Sequence, residues 1–538
     1  MICGAGPVGL MMAQELRRYG LTVRIVDQAP EPSDKSRALV LWSRSLEVFA
    51  RSDEQLLTDA LAIGLKAHAS NIYADGKKIA HLSLDELPSP YRSALMIPQN
   101  ETERLLTECL QRREVRIERG SELLSFTQSD QGVSAVLRAA DGSEETVSSH
   151  WLIGCDGAHS TVRHALNVPF TGQAEPSSWI LADLMVQGAL AMDEIHVFLS
   201  PDGVLALFPI GREGRMRIIA DCGTAGGDQK PSDPTLDEVQ AIVDKRGPAG
   251  LKLSDPFWLA GFRIHERQVS EYRHGRVFLA GDAAHIHSPA GGQGMNTGLQ
   301  DAFNLAWKLA LVQQGKAPDS LLDSYSLERH AVGQMVLKGA EAATRAATLR
   351  HPVAQYLRNK LAEFLTGSEL IQHRIARTLS ELEINYRKSP LSREHRKDLT
   401  VFSPLAPGIR PGDRVPDGEL VTKSGAEVHL FDLLKGNGSH LLLFSGIDLS
   451  EQSEEWMITI EREVKARWGE LIGVIHLGPS GYHDREQLLH RAFGASSETL
   501  YWVRPDLYVG FRSQPADLRA LIEYLGGVYQ TTSNLAGR

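Results

Sequence analysis

The sequence predicts an α/β protein: a Rossmann-like dinucleotide-binding domain interleaved with an antiparallel sheet, followed by a separate C-terminal α/β unit. Three observations predict it. The chain opens with Gly4-Ala5-Gly6-Pro7-Val8-Gly9, a GxGxxG pattern that runs into a helix and reaches an acid, Asp27, 18 residues after Gly9. Residues 181–220 break into short apolar runs around turns at Ser200-Pro201-Asp202-Gly203 and Arg212-Glu213-Gly214-Arg215. Beyond about residue 400, Pro404, Pro407, Pro411 and Pro416 mark a linker.

Composition narrows the class. At 538 residues the chain exceeds one ordinary core, so two to four domains are expected. A content of 42% hydrophobic and 23% charged residues is that of a soluble globular protein. No apolar run reaches the roughly 18 residues of a membrane helix, and no basic-then-apolar leader opens the chain. The net charge of −10 argues against nucleic acid as a partner. Cys3, Cys109, Cys155 and Cys222 lie far apart without a CxxC pair, which points to a reducing cytoplasm and to no zinc or disulfide framework. No metal is expected.

Each element follows from its pattern. Val8, Met11, Met12 and Leu16 share one face of the first helix, and Gly20 is placed to end it. Thr22-Val23-Arg24-Ile25-Val26 reads as the second strand, closed by Asp27-Gln28. Glycines admit a pyrophosphate and the acid takes ribose hydroxyls, which is the dinucleotide βαβ layout. Only Met1, Ile2 and Cys3 precede Gly4, against the usual five or so strand residues, so either the first strand is short or the natural chain starts further upstream. Pro30 and Pro32 end the second strand. Arg37 follows in Ser36-Arg37-Ala38 and suits either a phosphate or a solvated surface. Residues 43–62 read as helical, and 69–84 as short strands about Asp75-Gly76. Ile97-Pro98-Gln99 leads into a helix with Leu105, Leu106, Cys109 and Leu110 on its apolar side. Val115 to Val147 alternates as a strand meander containing Leu123.

Trp151-Leu152-Ile153-Gly154-Cys155-Asp156-Gly157 runs a strand into Asp-Gly, and a helix starts near Ser160; Asp156 is equally an ordinary turn residue. Val197-Phe198-Leu199 and Val204-Leu205-Ala206-Leu207-Phe208 flank a hairpin, the natural place for a substrate-binding layer. Val277-Phe278-Leu279-Ala280 ends at Gly281-Asp282, and a loop with Pro289, Gly291, Gly292 and Gly294 precedes a helix whose apolar face is Leu299, Ala302, Phe303, Ala306, Leu309 and Ala310. Such a loop and helix N-terminus favour an anion. Residues 320–385 are mostly helical with a break near Pro352. The C-terminal runs around 430–476 are βαβ-like.

Three motifs in this order, Gly4–Gly9, Cys155-Asp156-Gly157-Ala158-His159-Ser160-Thr161-Val162-Arg163 and Gly281-Asp282-Ala283-Ala284-His285, resemble those of the FAD-dependent aromatic hydroxylases, single-component flavoprotein monooxygenases related to para-hydroxybenzoate hydroxylase. The resemblance spans roughly residues 1–390, and the region around Glu383–Tyr386 is similar to the larger members that act on phenols, polyketides or antibiotics. It implies a discontinuous FAD-binding domain over 1–70, 96–178 and 263–330, a substrate-binding sheet over 71–95 and 179–262, a helical segment over 331–400, and a thioredoxin-like domain over 401–538 that lacks CxxC and serves packing or dimer contact.

The resemblance also implies roles. Gly4, Ala5, Gly6, Pro7, Val8 and Gly9 approach the FAD pyrophosphate, and Asp27 with Gln28 the adenosine ribose. Arg37 and Gln99 resemble FAD-contacting residues, Leu123 touches the adenosine end, and Asp156 serves FAD and the nicotinamide cofactor. Gly281 and Asp282 hold the ribityl and pyrophosphate, while Pro289, Gly292, Gly294, Met295 and Asn296 run along the reacting ring. The implied reaction reduces FAD with NADPH or NADH, adds O₂ at flavin C4a, and passes OH to a small aromatic substrate. His196, Phe198, Leu207, Phe208 and Arg217 are candidate pocket residues; His196, Arg217, Arg44 and Tyr272 are weighed as the base or positive group, and no catalytic residue is named. His285 and His287 are read as packing the loop. An epoxidase or Baeyer–Villiger oxygenase on the same scaffold, or a non-catalytic flavin-binding protein, is the alternative; a halogenase is disfavoured because no Trp-x-Trp-x-Ile occurs. A cytoplasmic monomer or homodimer without membrane partner is expected.

Overall fold

The first strand, Ile2–Cys3, is short because it is central. Ile2 sits opposite Ile153 on one side and Ile25 on the other, both parallel, so two apolar residues buried on both faces suffice. In the computed structural model, which describes residues 1–211, 214–224, 231–396, 408–447, 452–479 and 481–530, the six-stranded sheet runs in the order Arg273–His274, Val277–Leu279, Leu152–Gly154, Ile2–Cys3, Ile25–Asp27 and Ile117–Arg119. The second strand is shorter than its β-branched run suggests, since only Ile25 to Asp27 find a partner.

Pro7 opens the helix Pro7–Arg18, where its missing N–H costs nothing and its fixed φ suits the first turn. Leu10, Met11 and Met12 are fully buried and pack toward the helix Gly294–Gln313. The helical stretch expected over 43–62 is two helices, Ser43–Ser52 and Glu54–Ile63, because Asp53 accepts the Leu56 amide as an N-cap and restarts the turn. The meander Glu122–Ser129, Gly132–Arg138 and Glu144–Ser149 turns Leu123, Val133, Ala135 and Leu137 into the same core.

The second layer is an eight-stranded sheet: His285–Ile286, Lys252–Gln268, Thr171–Gln187, Arg215–Thr224, Gly203–Pro209, Glu194–Ser200, Ala69–Ala74 and Lys77–Ser83. Two strands of 17 residues each carry the chain between the layers. They run straight through residues 179 and 262, where the sequence reading drew a boundary; continuous pairing, with its backbone hydrogen bonds, leaves no place for a linker there. One face is covered by the helix Leu236–Arg246 through Val239 and Val243. The other meets Leu39, Val40, Trp42 and Met96 of the dinucleotide-binding layer.

Helices Asp323–Ala347, Pro352–Thr366 and Glu369–Leu379 follow. The C-terminal sheet runs Arg393–Arg396, Val509–Gln514, Thr499–Val503, Ser439–Phe444 and Ile472–Leu477, the last two parallel, with helices Gln452–Trp468 and Leu518–Val528 against it. Arg393–Arg396 pairs with Phe511–Gln514, so this sheet recruits a strand from before the boundary expected at 400. Pro404 and Pro407 of the linker, and Arg212 and Glu213 of the second turn, lie outside the described residues. Among the described residues no helix is long and apolar enough to cross a membrane.

Candidate functional site

The glycine loop is closed by contact. Gly4 sits at φ +100°, and a Cβ there would stand 2.3 Å from the Cys155 carbonyl oxygen; on Gly9 it would stand 1.9 Å from the Gly4 oxygen. Gly6 has open space instead. The two outer glycines bring the loop against the 155–157 motif, and the middle one leaves room for a ligand at the helix N-terminus. Asp27 holds this loop: its carboxylate accepts the Ala5 amide at 2.6 Å and the Ala29 amide at 2.8 Å, with Arg119 at 3.6 Å. Ala5 is buried and Gln28, one residue on, is exposed.

Asp156 is committed elsewhere. It accepts Ser160 Oγ at 2.5 Å and the Val162 amide at 3.1 Å, bracing the first turn of the helix Thr161–Ala165, which Ser160 itself caps. Burial pushes its carboxyl above the usual range against the pull of those donors. Arg163 then ties the motif to the next one, donating to the Ala283 carbonyl at 3.0 Å while lying over the Phe170 ring.

The Gly281-Asp282 loop is supported from behind. The Gly281 amide and His285 Nε2 both reach Asp301, which Arg329 also binds at 2.6 Å, and all of these side chains are buried. His285 is thus structural. Asp282 differs: it is ringed by protein yet exposed to solvent, the mark of a residue on the wall of a cleft. Crowding pushes its carboxyl up, and His285 and Arg37 oppose the shift. The loop ends in a turn in which Gly292 donates to the Pro289 carbonyl, with Pro289 exposed. No side chain caps the helix Gly294–Gln313, so its first amides, those of Gly294, Met295 and Asn296, lack partners within the helix. The Met295 side chain is in the core. The Asn296 side chain is spent on structure: it accepts the Trp42 amide at 2.9 Å and donates to the Val40 and Gly292 carbonyls. His287, with Nδ1 on the Ser288 carbonyl, has a buried Nε2 without a partner among the described residues, and burial holds its pKa down to about 4.

The segment over this cleft is strapped from both sides. Gln99 accepts the Ala38 amide and donates to Glu103, and Arg217 donates to the Ser36 and Arg37 carbonyls at 2.6 and 2.9 Å while paired with Asp183. The Arg37 side chain stays exposed. Leu123 turns its side chain into the core, so only its backbone is available to a ligand.

The five residues expected to line a substrate pocket do not share a face. His196 pairs with Leu207 and Phe198 with Leu205, and all four point to the side covered by Val239 and Val243. There His196 Nε2 lies 2.8 Å from the Ala191 carbonyl, and Tyr73 stacks on Phe198 with ring centres 4.6 Å apart. Phe208 and Arg217 are paired on the opposite face, toward Trp42. The expectation fails for His196, Phe198 and Leu207 because alternation along a strand sends neighbours to opposite faces. Arg44 and Tyr272 also lie elsewhere: Arg44 is buried on Glu47 and the Asp506 carbonyl, and Tyr272 on Gln268. Val40, Trp42, Val197, Phe208, Ile210 and Leu379 pack as one apolar cluster beside the loop. Trp42 Nε1 donates to the Gly291 carbonyl and Gln293 Nε2 to the Thr378 carbonyl, so the loop, this cluster and the helix Glu369–Leu379 are tied together. Nothing in the sequence pattern singled out Trp42, Gln293 or Leu379.

The space beside Gly6, the exposed carboxylate of Asp282 and the uncapped helix suit an elongated dinucleotide, with its phosphates at Gly6 and a flat ring before Gly292–Asn296. Residues 1–340 match the family described as "FAD binding domain". The 6-methylpretetramide 4-monooxygenase of Streptomyces rimosus is 38% identical over 73% of this chain and 70% of its own. Pentachlorophenol 4-monooxygenase of Sphingobium chlorophenolicum is 31% identical over 95% and 93%. The ternary complex of aklavinone-11 hydroxylase with FAD and aklavinone superposes at a TM-score of 0.79, with 26% identity over 97% of each chain.

Proposed function

The chain belongs to this FAD-binding family and is an FAD-dependent aromatic monooxygenase, and we propose that it hydroxylates a phenolic ring of a polycyclic, polyketide-like substrate at the expense of NADPH or NADH and O₂. The apolar cluster of Trp42, Val197, Phe208 and Leu379 beside the flavin loop carries this reading. It offers aromatic and aliphatic surface, with the buried Arg217 as its charged neighbour on that face.

When bound, FAD supplies hydride acceptance from the nicotinamide and delivery of one oxygen atom of O₂ to the ring. The chain's own residues set the conditions. Asp282 takes the ribityl and pyrophosphate region, and Asp27 and the Gly4–Gly9 loop the adenosine half. The amides of Gly294 to Asn296, at the positive end of a 20-residue helix, favour negative charge on the ring's pyrimidine edge. Trp42, Phe208 and Leu379 exclude water from the reacting edge, and Pro289 shapes that edge. Asp156 acts through the turn of Ser160 and Val162 that it braces. Arg217, its charge matched by Asp183, holds the Ser36–Arg37 backbone in place over the cleft. The nearby polar groups are committed to structural bonds, and no side chain is assigned as a base.

The test uses FAD-loaded protein, a panel of phenols, anthraquinones and tetracyclic polyketides, and either nicotinamide. A panel member that accelerates nicotinamide oxidation and gains one ring hydroxyl supports the reading. A ring-expanded ester or an epoxide as the product would replace it with the other oxygenase chemistries, and no acceleration by any ring compound would sink it.

A further inference from the structure

The helix Pro352–Thr366 is amphipathic the wrong way round for a monomer. Its inward face is polar or small: Gln355 donates to the Leu349 and Pro201 carbonyls, Arg358 to the Ala346 and Ala347 carbonyls, Asn359 to Asp75, and Thr366 to the Ile79 carbonyl. Its outward face carries Val353, Tyr356, Leu357, Leu361 and Phe364, between 57% and 78% exposed, and Leu370 just beyond it is 82% exposed. These six are half of the twelve large hydrophobic residues that the described chain exposes. A surface helix ordinarily buries the apolar stripe and wets the polar one. A contiguous apolar patch of this kind marks an interface rather than scatter.

We propose that this stripe is the seat of a symmetric homodimer, covered by the same helix of a second copy. Three observations favour a second copy. With side chains of this size offering on the order of 180 Å² each when open, the six leave roughly 700 Å², close to the 800 Å² per partner of a stable complex. The stripe is self-complementary about its middle: a two-fold axis across the outward face between Leu357 and Leu361 sets Phe364 of one copy against Val353 of the other, as an isologous contact requires. Charge does not oppose it, because Arg358, Lys360, Glu363 and Glu369 cancel locally in a chain whose total is −10. The same neutrality gives an anionic lipid surface nothing to hold. Pairing also bears on the site, since the adjoining helix ends at Leu379, where Gln293 of the flavin loop is bonded.

The experiment measures the mass of the FAD-loaded full chain by light scattering after size exclusion, at micromolar and tenfold higher concentration, for the wild type and for Leu357→Asp and Phe364→Asp. Both substituted positions face solvent in the single chain, and flavin content and unfolding midpoint report that each variant is folded. A wild-type dimer with both variants monomeric, or with dissociation constants raised at least about tenfold, supports the proposal. A monomeric wild type, or a dimer that both variants leave intact, overturns it. A wild type that stays monomeric and sediments with phosphatidylcholine vesicles would assign the stripe to a membrane instead. Because the readout is mass, failure of the hydroxylase reading leaves this result standing.

Discussion

The wall around the glycine loops and the seam beneath the C-terminal domain use the same residue types and leave them in opposite states. At the seam the charges gathered around Glu328 and Asp506 are matched. Glu328 takes Arg504, Lys308, Asn304 and Ser389, and Asp506 takes Arg504, Asn304 and Trp307, all with no more than a few per cent exposure. Arg504 and Lys308 hold the Glu328 carboxyl well below the usual carboxylate range. At the wall, Asp282, the Arg37 side chain and the first amides of Gly294–Gln313 are free of such partners among the described residues. Matched buried groups hold a structure together, whereas unmatched groups around a cleft are available to a ligand.

The contrast predicts where substitutions strike. Arg504→Met strands two buried carboxylates and should cost about 3–5 kcal/mol; urea unfolding checks it, and a loss under 1 kcal/mol would break the comparison from the seam side. Asp282→Ala should leave the unfolding of the FAD-free protein unchanged while weakening FAD binding by 1.5–3 kcal/mol, or about 10- to 150-fold, as for a bond to a charged group; fluorescence titration of FAD reads it. Phe208→Ala should raise the substrate KM about tenfold and divert more turnover to hydrogen peroxide, with Phe198→Ala, on the far face, leaving both unchanged at equal flavin content. Equal effects from both would show that the sheet does not separate the two faces functionally.

The smallest effect concerns Glu381, buried behind the flavin loop, where it accepts bonds from Thr297 and Gln300. Burial raises its carboxyl to about 8, against the donors and Arg329. Unfolded, it titrates near 4.3, so between about pH 4.5 and 8 the unfolded chain has lost a proton that the fold keeps. Stability therefore falls as pH rises through that window, by up to about 1 kcal/mol per unit between pH 7 and 8. Glu381→Gln should flatten this slope in urea unfolding; an unaltered slope would show that the carboxyl is already ionised in the fold.

Much of the site was legible because dinucleotide loops are local. Gly4, Gly9, Asp27 and Asp282 are read from spacing along one strand, turn and helix, and the chain carries them to one cleft. The pocket was less legible. His196, Phe198, Leu207 and Phe208 look alike along the chain, and only the pairing register tells which two faces they occupy. Arg44 looked like a pocket cation until the C-terminal domain closed over it.

The sequence by itself determined the family, the cofactor class, the order of the layers and the three motifs, because each depends on residues within a few turns of one another. Only the tertiary structure decided that Asn296 spends its amide on Trp42, that a strand at 393–396 joins the last sheet, and that Trp42 packs with Leu379 beside the loop. Those outcomes rest on contacts between residues tens to hundreds apart, and no local pattern carries the register of a sheet or the partner of a buried polar group.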